Sequence, residues 1–424
     1  MSLSKYVHKL AIAAASWPRL GVPFLSARTE ALSCRPKSWS LSASRSICNG
    51  FPRITIPAGV QQSAGWGLTT ASVARPSLLL CNQIQSRHST SIPSVGQAGA
   101  LPSMGPVPRK REERPIPQEA EAKTVVTPAW LQEIFFEFRV RTIDASWYLP
   151  GENRNPYEEY KKEHVPGAVF FNIDTIADIT TDLPHMLPSE AAFAAAVSKL
   201  GIKNDSLIVV YDTKGIFSAA RVWWMFKVFG HQKVWVLDGG LPKWRATGHP
   251  IVSHGTQLEL GQEAGDCVRM VYAGQKVEEG KFQAKFQPHL VRSIDDVESN
   301  IHTKKFQLID ARGKARFEGT EPEPSDGNRG GHIPGSLCIP YTAVLDPSGS
   351  LLPEEELAAV FSNAGLDPVK PVVVSCRSGV SSCVIALALH RLGKEDVAIY
   401  DGSWAEWSSF SDTPVETNVA AASA

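Results

Sequence analysis

The residue with the most chemistry around it is Cys376, which ends the apolar run Val372-Val373-Val374-Ser375 and opens the loop Arg377-Ser378-Gly379-Val380-Ser381-Ser382. A helical pattern from Cys383 to Leu392, closed by Gly393, follows at once. A thiol at a strand end, ahead of a short Gly-bearing loop and a helix start, sits among converging backbone N–H groups at the positive end of a helix dipole. That setting lowers a thiol pKa and makes the thiolate nucleophile available near neutral pH. The ordinary role of a lone cysteine in a core strand is that of a small buried hydrophobe, and this reading holds for Cys338 and Cys383. For Cys376 the strand end, the loop and the adjacent Arg377 favour function. Cysteine-dependent phosphatase chemistry is disfavoured, because it needs a phosphate-clamping arginine six residues after the cysteine and Ser382 stands there.

The elements that must position this loop occur twice. Ile143-Asp144-Ala145 recurs as Ile309-Asp310-Ala311, His164-Val165-Pro166-Gly167 as His332-Ile333-Pro334-Gly335, Ile208-Val209-Val210-Tyr211-Asp212 as Val372 to Cys376, and Asp238-Gly239-Gly240 as Asp401-Gly402-Ser403. The offsets are 166, 168, 164 and 163 residues, so the halves are homologous domains with small insertions. Short, nearly continuous Val/Ile runs alternate with helical patterns such as 189–200, with Ser189 as N-cap, and 353–361. This predicts an α/β fold: two tandem domains, each a mainly parallel sheet with helices on both faces, over 123–250 and 286–413. The stretch 251–285 is read as an interdomain linker and 414–424 as a tail. Ligands of such sheets bind beyond the carboxyl ends of the strands, just after Val210 and Val374. The first copy has Asp212 where the second has Cys376, which predicts one active domain and one that supplies walls and polar groups.

The chain has 424 residues, 43 Lys+Arg against 43 Asp+Glu, 43% apolar residues and 7 Cys. Zero net charge argues against a protein devoted to nucleic acid, and no apolar run is long enough to span a bilayer. Scattered cysteines without CxxC spacing exclude a disulfide scaffold and disfavour zinc. No Gly-x-Gly-x-x-Gly or Walker loop is present, so neither a metal nor an organic cofactor is expected. The charge balance is uneven, because residues 1–110 hold 12 Lys+Arg, 18 Ser and the single acid Glu30. The first 122 residues are therefore read as a transit peptide and solvated linker, mitochondrial (matrix) before chloroplast before secretory.

The motifs DASWYLP at Asp144, HVPGAVFFNID at His164, HMLPSE at His185, GIFSAARVWWMF at Gly215, VLDGGLPKW at Val236, GTEPEP at Gly319, GHIPGS at Gly331 and YDGSW at Tyr400 make residues 123–410 closely similar to the two-domain rhodanese family. They most resemble its thiosulfate and 3-mercaptopyruvate sulfurtransferases of plant organellar type. The resemblance implies two rhodanese-like domains, with Cys376 as the persulfide-forming residue and Asp174 and His185 assisting proton transfer, to which the Ser378 hydroxyl is suited by its chemistry. Arg316 would bind the substrate anion, and Arg377, Gly379, Val380 and Ser381 would form the binding loop. The implied donor is 3-mercaptopyruvate or thiosulfate, and the acceptor a thiol such as thioredoxin or glutathione, or cyanide. No nucleic acid or membrane partner is implied.

Two positions depart from the family pattern. Mercaptopyruvate enzymes have Gly then Ser or Thr after the cysteine, thiosulfate enzymes Arg then Lys, and this loop has Arg377 then Ser378. A second arginine common in mercaptopyruvate enzymes is replaced by Ser325, with Arg329 nearby as a substitute. Chemistry favours mercaptopyruvate: its departing enolate needs a proton, which a hydroxyl near His185 suits, whereas thiosulfate is a dianion better met by two adjacent cations. Thiosulfate transfer is the alternative, and a non-catalytic rhodanese-like binding or redox-sensing module is a weaker one, since Cys376 is retained. The run Trp223-Trp224-Met225-Phe226 after Arg221 reads as core, and His164, His332, Asp238 and Asp401 as turn-forming residues because they recur in both copies. Protein that starts near Glu119 is expected to fold and turn over substrate, as measured by circular dichroism and sulfur transfer; an insoluble or inactive product would refute the transit-peptide reading.

Overall fold

The computed structural model describes residues 124–253, 257–278, 280–324 and 328–418. The expected transit segment with Cys34, Cys48 and Cys81, Ser325, and the end of the expected tail lie outside them. In the first half β1 (Val125–Val126), α1 (Pro128–Ile134), β2 (Val140–Asp144), α2 (Pro156–Lys162), β3 (Val169–Phe170), α3 (Glu190–Lys199), β4 (Leu207–Tyr211), α4 (Ser218–Val228), β5 (Val234–Leu237) and α5 (Gly240–Ala246) follow one another. After α6 (Gln257–Tyr272), the second half runs β6 (Val291–Arg292), α7 (Ile294–Thr303), β7 (Gln307–Asp310), α8 (Lys314–Glu318), β8 (Leu337–Cys338), α9 (Glu354–Asn363), β9 (Val372–Ser375), α10 (Ser382–Arg391), β10 (Ala398–Tyr400) and α11 (Ser403–Trp407). The two sheets have the orders β1-β5-β4-β2-β3 and β6-β10-β9-β7-β8, with every neighbouring pair parallel.

The unbroken apolar strands follow from burial on both faces. Along β4, Ile208 and Val210 pack with Phe193, Val222 and Phe226, while Leu207, Val209 and Tyr211 pack with Leu131, Leu241 and Trp244. In the second sheet Val372 and Val374 pack with Leu357, Ile385 and Leu389, and Val373 with Val297, Trp404 and Trp407. Helices therefore cover both faces of each sheet. One core cluster takes in residues of both halves, because α4 and α10 are packed together between the sheets. Both helices are apolar on nearly every side for that reason, and Arg221 is the one charge within the buried run of α4.

The interdomain stretch is not an extended linker. It folds as the sixteen-residue α6, which packs on α3 through the buried Ala264 and Val268 and an ion pair from Lys199 to Glu263 at 2.8 Å. Gly261 and Gly265, one turn apart, let α6 approach closely: a Cβ on either would stand 2.6 Å from the Phe170 carbonyl oxygen or 2.7 Å from Thr175 Oγ1. Ser189 caps α3 as expected, accepting from the Ala192 amide at 3.3 Å, and α10 starts at Ser382, one residue before its predicted position.

The repeated motifs do similar local work with different partners. His164 Nδ1 lies 2.7 Å from the Tyr160 carbonyl oxygen and its ring stacks on Tyr160, while His332 does the same with Phe317, also at 2.7 Å. Both are turn-fixing groups. Asp310 is paired with the buried Arg312 at 2.6 Å, and that arginine also reaches Glu323 and stacks over Trp404. The matching Asp144 has Ser146 in place of an arginine, and burial pushes its carboxyl up to about 6 although it accepts the Ser146 amide. A raised folded-state pKa means that stability is full below the unfolded value near 4 and is lost as pH rises through about 6. Asp144→Asn is therefore expected to raise the melting temperature at pH 8, by at most about 3 kcal/mol of stability, and to change little at pH 4. Thermal scans at the two pH values check this, and equal shifts at both would refute it.

Candidate active site

Each half ends its central strand in a loop that leads into a helix, and the residue at the strand's end differs between the two copies. In the first, the carboxylate of Asp212 accepts from the amides of Lys214, Phe217 and Ala219 at 2.8, 2.8 and 2.9 Å. Burial raises its pKa despite those three bonds. In the second, the thiol of Cys376 stands at the matching root, and the amides of Ser378 and Ser381 make no backbone hydrogen bond among the described residues. The cysteine is only 1% exposed, so it lies beneath the surface. Its peptide is held from both sides by α11: Ser403 Oγ accepts the Cys376 amide at 3.1 Å, and the Trp404 and Ala405 amides donate to the carbonyls of Cys376 and Arg377 at 3.0 and 2.9 Å. Ser403 has φ +53°, the left-handed conformation for which the first copy uses Gly240, also at +53°.

The first half lends a hairpin to this loop. The Asp178 amide donates to the Met186 carbonyl, and the end of the hairpin carries His185, 7% exposed and at φ +63°. Its Nε2 faces Asp174 Oδ1 at 2.9 Å and its Nδ1 faces Ser378 Oγ at 3.2 Å. With a carboxylate at Nε2 that nitrogen carries the proton, so Nδ1 accepts from the Ser378 hydroxyl. Trp147 completes the arrangement: its Nε1 donates to Asp174 at 3.0 Å and its ring meets the imidazole edge-on at 4.9 Å. The second half returns a matching hairpin, Asp346 to Ser350, to the Asp212 loop, where Gly215 and Gly349 pack backbone to backbone. There Ser350 takes the place of His185 and accepts from Lys243 Nζ at 3.2 Å.

Ser378, His185 and Asp174 thus come together, Ser378 standing two residues after Cys376, and Gly379, Val380 and Ser381 form the rest of the loop. Arg377 follows Cys376 directly and is half-buried. Arg316 lies on α8, just beyond the carboxyl end of β7, the strand beside β9, with its guanidinium 3.2 Å from Glu321. No hydrogen bond joins Arg316 to the loop among the described residues. Arg329 does not serve as a second anion-binding arginine. Its guanidinium is spent on the carbonyls of Trp407, Ser408, Phe410 and Thr413, which fasten the chain after α11.

Sequence reasoning missed three participants. Trp147 lay unremarked within DASWYLP. Arg221, read as part of a core helix, is fully buried and donates to the Gly379 carbonyl at 3.0 Å, to Asp401 Oδ1 at 2.6 Å and to the His185 carbonyl. Asp401, read as a turn residue like Asp238, also accepts the Leu187 amide at 2.8 Å, whereas Asp238 pairs with Lys243. A lone arginine inside an otherwise apolar helix was the available signal, since such a charge must find a partner. Cys383 is the buried small residue expected, with its thiol donating to the Gly379 carbonyl at 3.2 Å and its pKa raised by burial. Cys338 is only partly buried, and burial raises its pKa to about 11.

Comparison with known proteins fits this geometry. The rhodanese-like domain family matches residues 127–247 and 293–410. The chain belongs to that family. Thiosulfate/3-mercaptopyruvate sulfurtransferase 1, mitochondrial, of Arabidopsis thaliana is 52% identical over 298 residues, covering 70% of this chain and 79% of the relative. Thiosulfate sulfurtransferase of Rattus norvegicus is 41% identical over 304 residues, covering 70% and 95%. Among solved structures, SseA from Escherichia coli, described as a 3-mercaptopyruvate sulfotransferase with the rhodanese fold, matches with TM-score 0.57 and 38% identity over 66% of this chain and 99% of that one. This rhodanese-family chain is a sulfurtransferase, and its two-domain fold is the one the sequence motifs implied.

The contrast between the loops gives a prediction. Asp212→Ala removes the acceptor of three amides of a buried loop and is expected to cost about 2–4 kcal/mol. Chemical denaturation measures it, and a loss under 1 kcal/mol would show that these amides find other partners.

Proposed function

We propose that the enzyme moves sulfane sulfur from 3-mercaptopyruvate, releasing pyruvate, to a thiol such as thioredoxin or glutathione, or to cyanide, through a persulfide on Cys376. In the first step the Cys376 thiolate attacks the donor sulfur: an S–S bond forms, the C–S bond breaks, and its electron pair leaves on carbon as the enolate of pyruvate. That carbon must gain a proton. The observation that carries the reading is the chain Asp174–His185–Ser378, with separations of 2.9 and 3.2 Å, next to the nucleophile. It supports a relay in which His185 Nδ1 takes up the donor's thiol proton through the Ser378 hydroxyl and the same path returns that proton to the carbon, leaving the persulfide as an anion. In the second step the acceptor thiolate attacks the outer sulfur and Cys376 leaves as thiolate. Convergent amides of the loop and the start of α10 support the charge on the persulfide, and Arg316 and Arg377 supply cations for the donor's anionic group.

Thiosulfate is the second reading. Arg377 beside the nucleophile favours it, as does the resemblance to the thiosulfate sulfurtransferase of rat. It needs no proton at carbon and gains nothing from the relay. For location the proposal is the mitochondrial matrix, with the chloroplast as alternative, on the basic, serine-rich segment before residue 123 and the mitochondrial relative in Arabidopsis thaliana.

Intact-mass analysis after addition of 3-mercaptopyruvate is expected to show the gain of one sulfur atom, absent in Cys376→Ser; an unchanged mass in the parent protein overturns the mechanism. Comparing kcat/KM for the two donors decides between them, with mercaptopyruvate expected to be the better substrate. Ser378→Lys is expected to shift that ratio toward thiosulfate by about tenfold or more, because it removes the hydroxyl and adds a cation.

A further inference from the structure

The proton relay is assembled from two halves of the chain, and something must set its registry. His185 belongs to the first half and Ser378 to the second, and their 3.2 Å contact bridges the two. Arg221 and Asp401 lie directly behind that contact. Arg221 is on α4 of the first half and Asp401 follows β10 of the second, and both are buried. One guanidinium nitrogen holds the Gly379 carbonyl, one residue after Ser378, together with Asp401, and the other holds the carbonyl of His185 itself. The second carboxylate oxygen of Asp401 takes the amide of Leu187, two residues after His185. A single ion pair therefore grips the backbone beside each end of the His185–Ser378 contact.

Two further observations agree. Gly379 lies flush against the pair: a Cβ there would meet Arg221 Nη1 at 2.8 Å and Asp401 Oδ1 at 2.9 Å, and its φ is +72°. His185 is a non-glycine residue held in the left-handed region, a conformation that persists only when its surroundings impose it. The other side of the repeat lacks the device. At the position matching Arg221 the second half has Ile385, and the hairpin facing Asp212 meets a lysine that is 36% exposed. Among the described residues the clamp occurs only where the cysteine is.

We infer that the Arg221–Asp401 pair is a positioning device that sets His185 against Ser378, and that it tunes donor choice by sustaining the step that needs a proton. This rests on the relay reading above. Mercaptopyruvate turnover depends on that registry, because a donor–acceptor distance lengthened by an ångström costs about a hundredfold. Thiosulfate turnover depends on the thiolate and the cations, and so responds less.

The test uses the double variant Arg221→Met/Asp401→Asn, which removes both buried charges so that neither is left unpaired, alongside Arg221→Lys and His185→Ala. In folded double variant, judged by circular dichroism and a persulfide mass gain with thiosulfate, kcat/KM for mercaptopyruvate is expected to fall at least about tenfold further than for thiosulfate. Arg221→Lys should recover part of the ratio. Adding His185→Ala to the double variant should cost little more, since both changes act through one relay. Equal loss with both donors, or full additivity with His185→Ala, would make the pair a purely structural contact and overturn the inference. If His185→Ala alone leaves the donor ratio unaltered, the relay reading itself fails and the inference falls with it. If the double variant does not fold, the donor ratio of Arg221→Lys decides.

Discussion

Backbone amides that turn inward at the end of a parallel strand need an acceptor, and both halves of this molecule are organised around that demand. The strands run parallel, so their carboxyl ends open into loops that lead straight into helices, and the amides of those loops converge. Asp212 answers the demand permanently with its own carboxylate. At the matching position Cys376 has no carboxylate to offer, and the amides of Ser378 and Ser381 make no backbone hydrogen bond among the described residues. The same loop is thus a closed structural joint in one half, while in the other it carries a buried thiol.

The duplication also explains why the site is composite. Packing α4 against α10 buries the faces of both helices in one shared core and brings the hairpin of each half over the loop of the other. His185 reaches Ser378 by that exchange, and Ser350 faces the Asp212 loop by its counterpart. Water is excluded from the cysteine, and the polar group over it comes from a part of the chain nearly two hundred residues away. Loss of the interdomain packing would remove the relay even if each sheet survived.

The buried arginines of this arrangement are paired. Arg312 is held by Asp310 and Glu323 behind the loop, and Arg221 by Asp401 beside it. Removing one partner from such a pair typically costs about 3–5 kcal/mol, because the other charge is left desolvated. Asp144 is the contrast. It matches Asp310 but has no arginine beside it, and burial pushes its carboxyl up to about 6. Identical motif residues therefore meet different partners, Arg312 for Asp310 and Ser146 for Asp144.

The sequence alone determined whatever depends on local pattern. The double period of strands and helices, the break at each Gly-bearing loop and the placement of Cys376 at a strand end all arise from side-chain periodicity and turn chemistry, which act over a few residues. The motifs also made the family legible, together with Ser378, His185 and Asp174 as companions of the cysteine. The helix in the stretch 251–285 escaped because its amphipathic face is made partly of glycines, whose value lies in close approach to Phe170 and Thr175 and not in apolar area. Only the tertiary structure decided that Cys376 is buried, that Arg329 fastens the chain after α11, and that Arg221 and Asp401 reach each other over 180 positions. A partner's identity across such a separation is set by the packing of two domains, and no local pattern in either segment contains it.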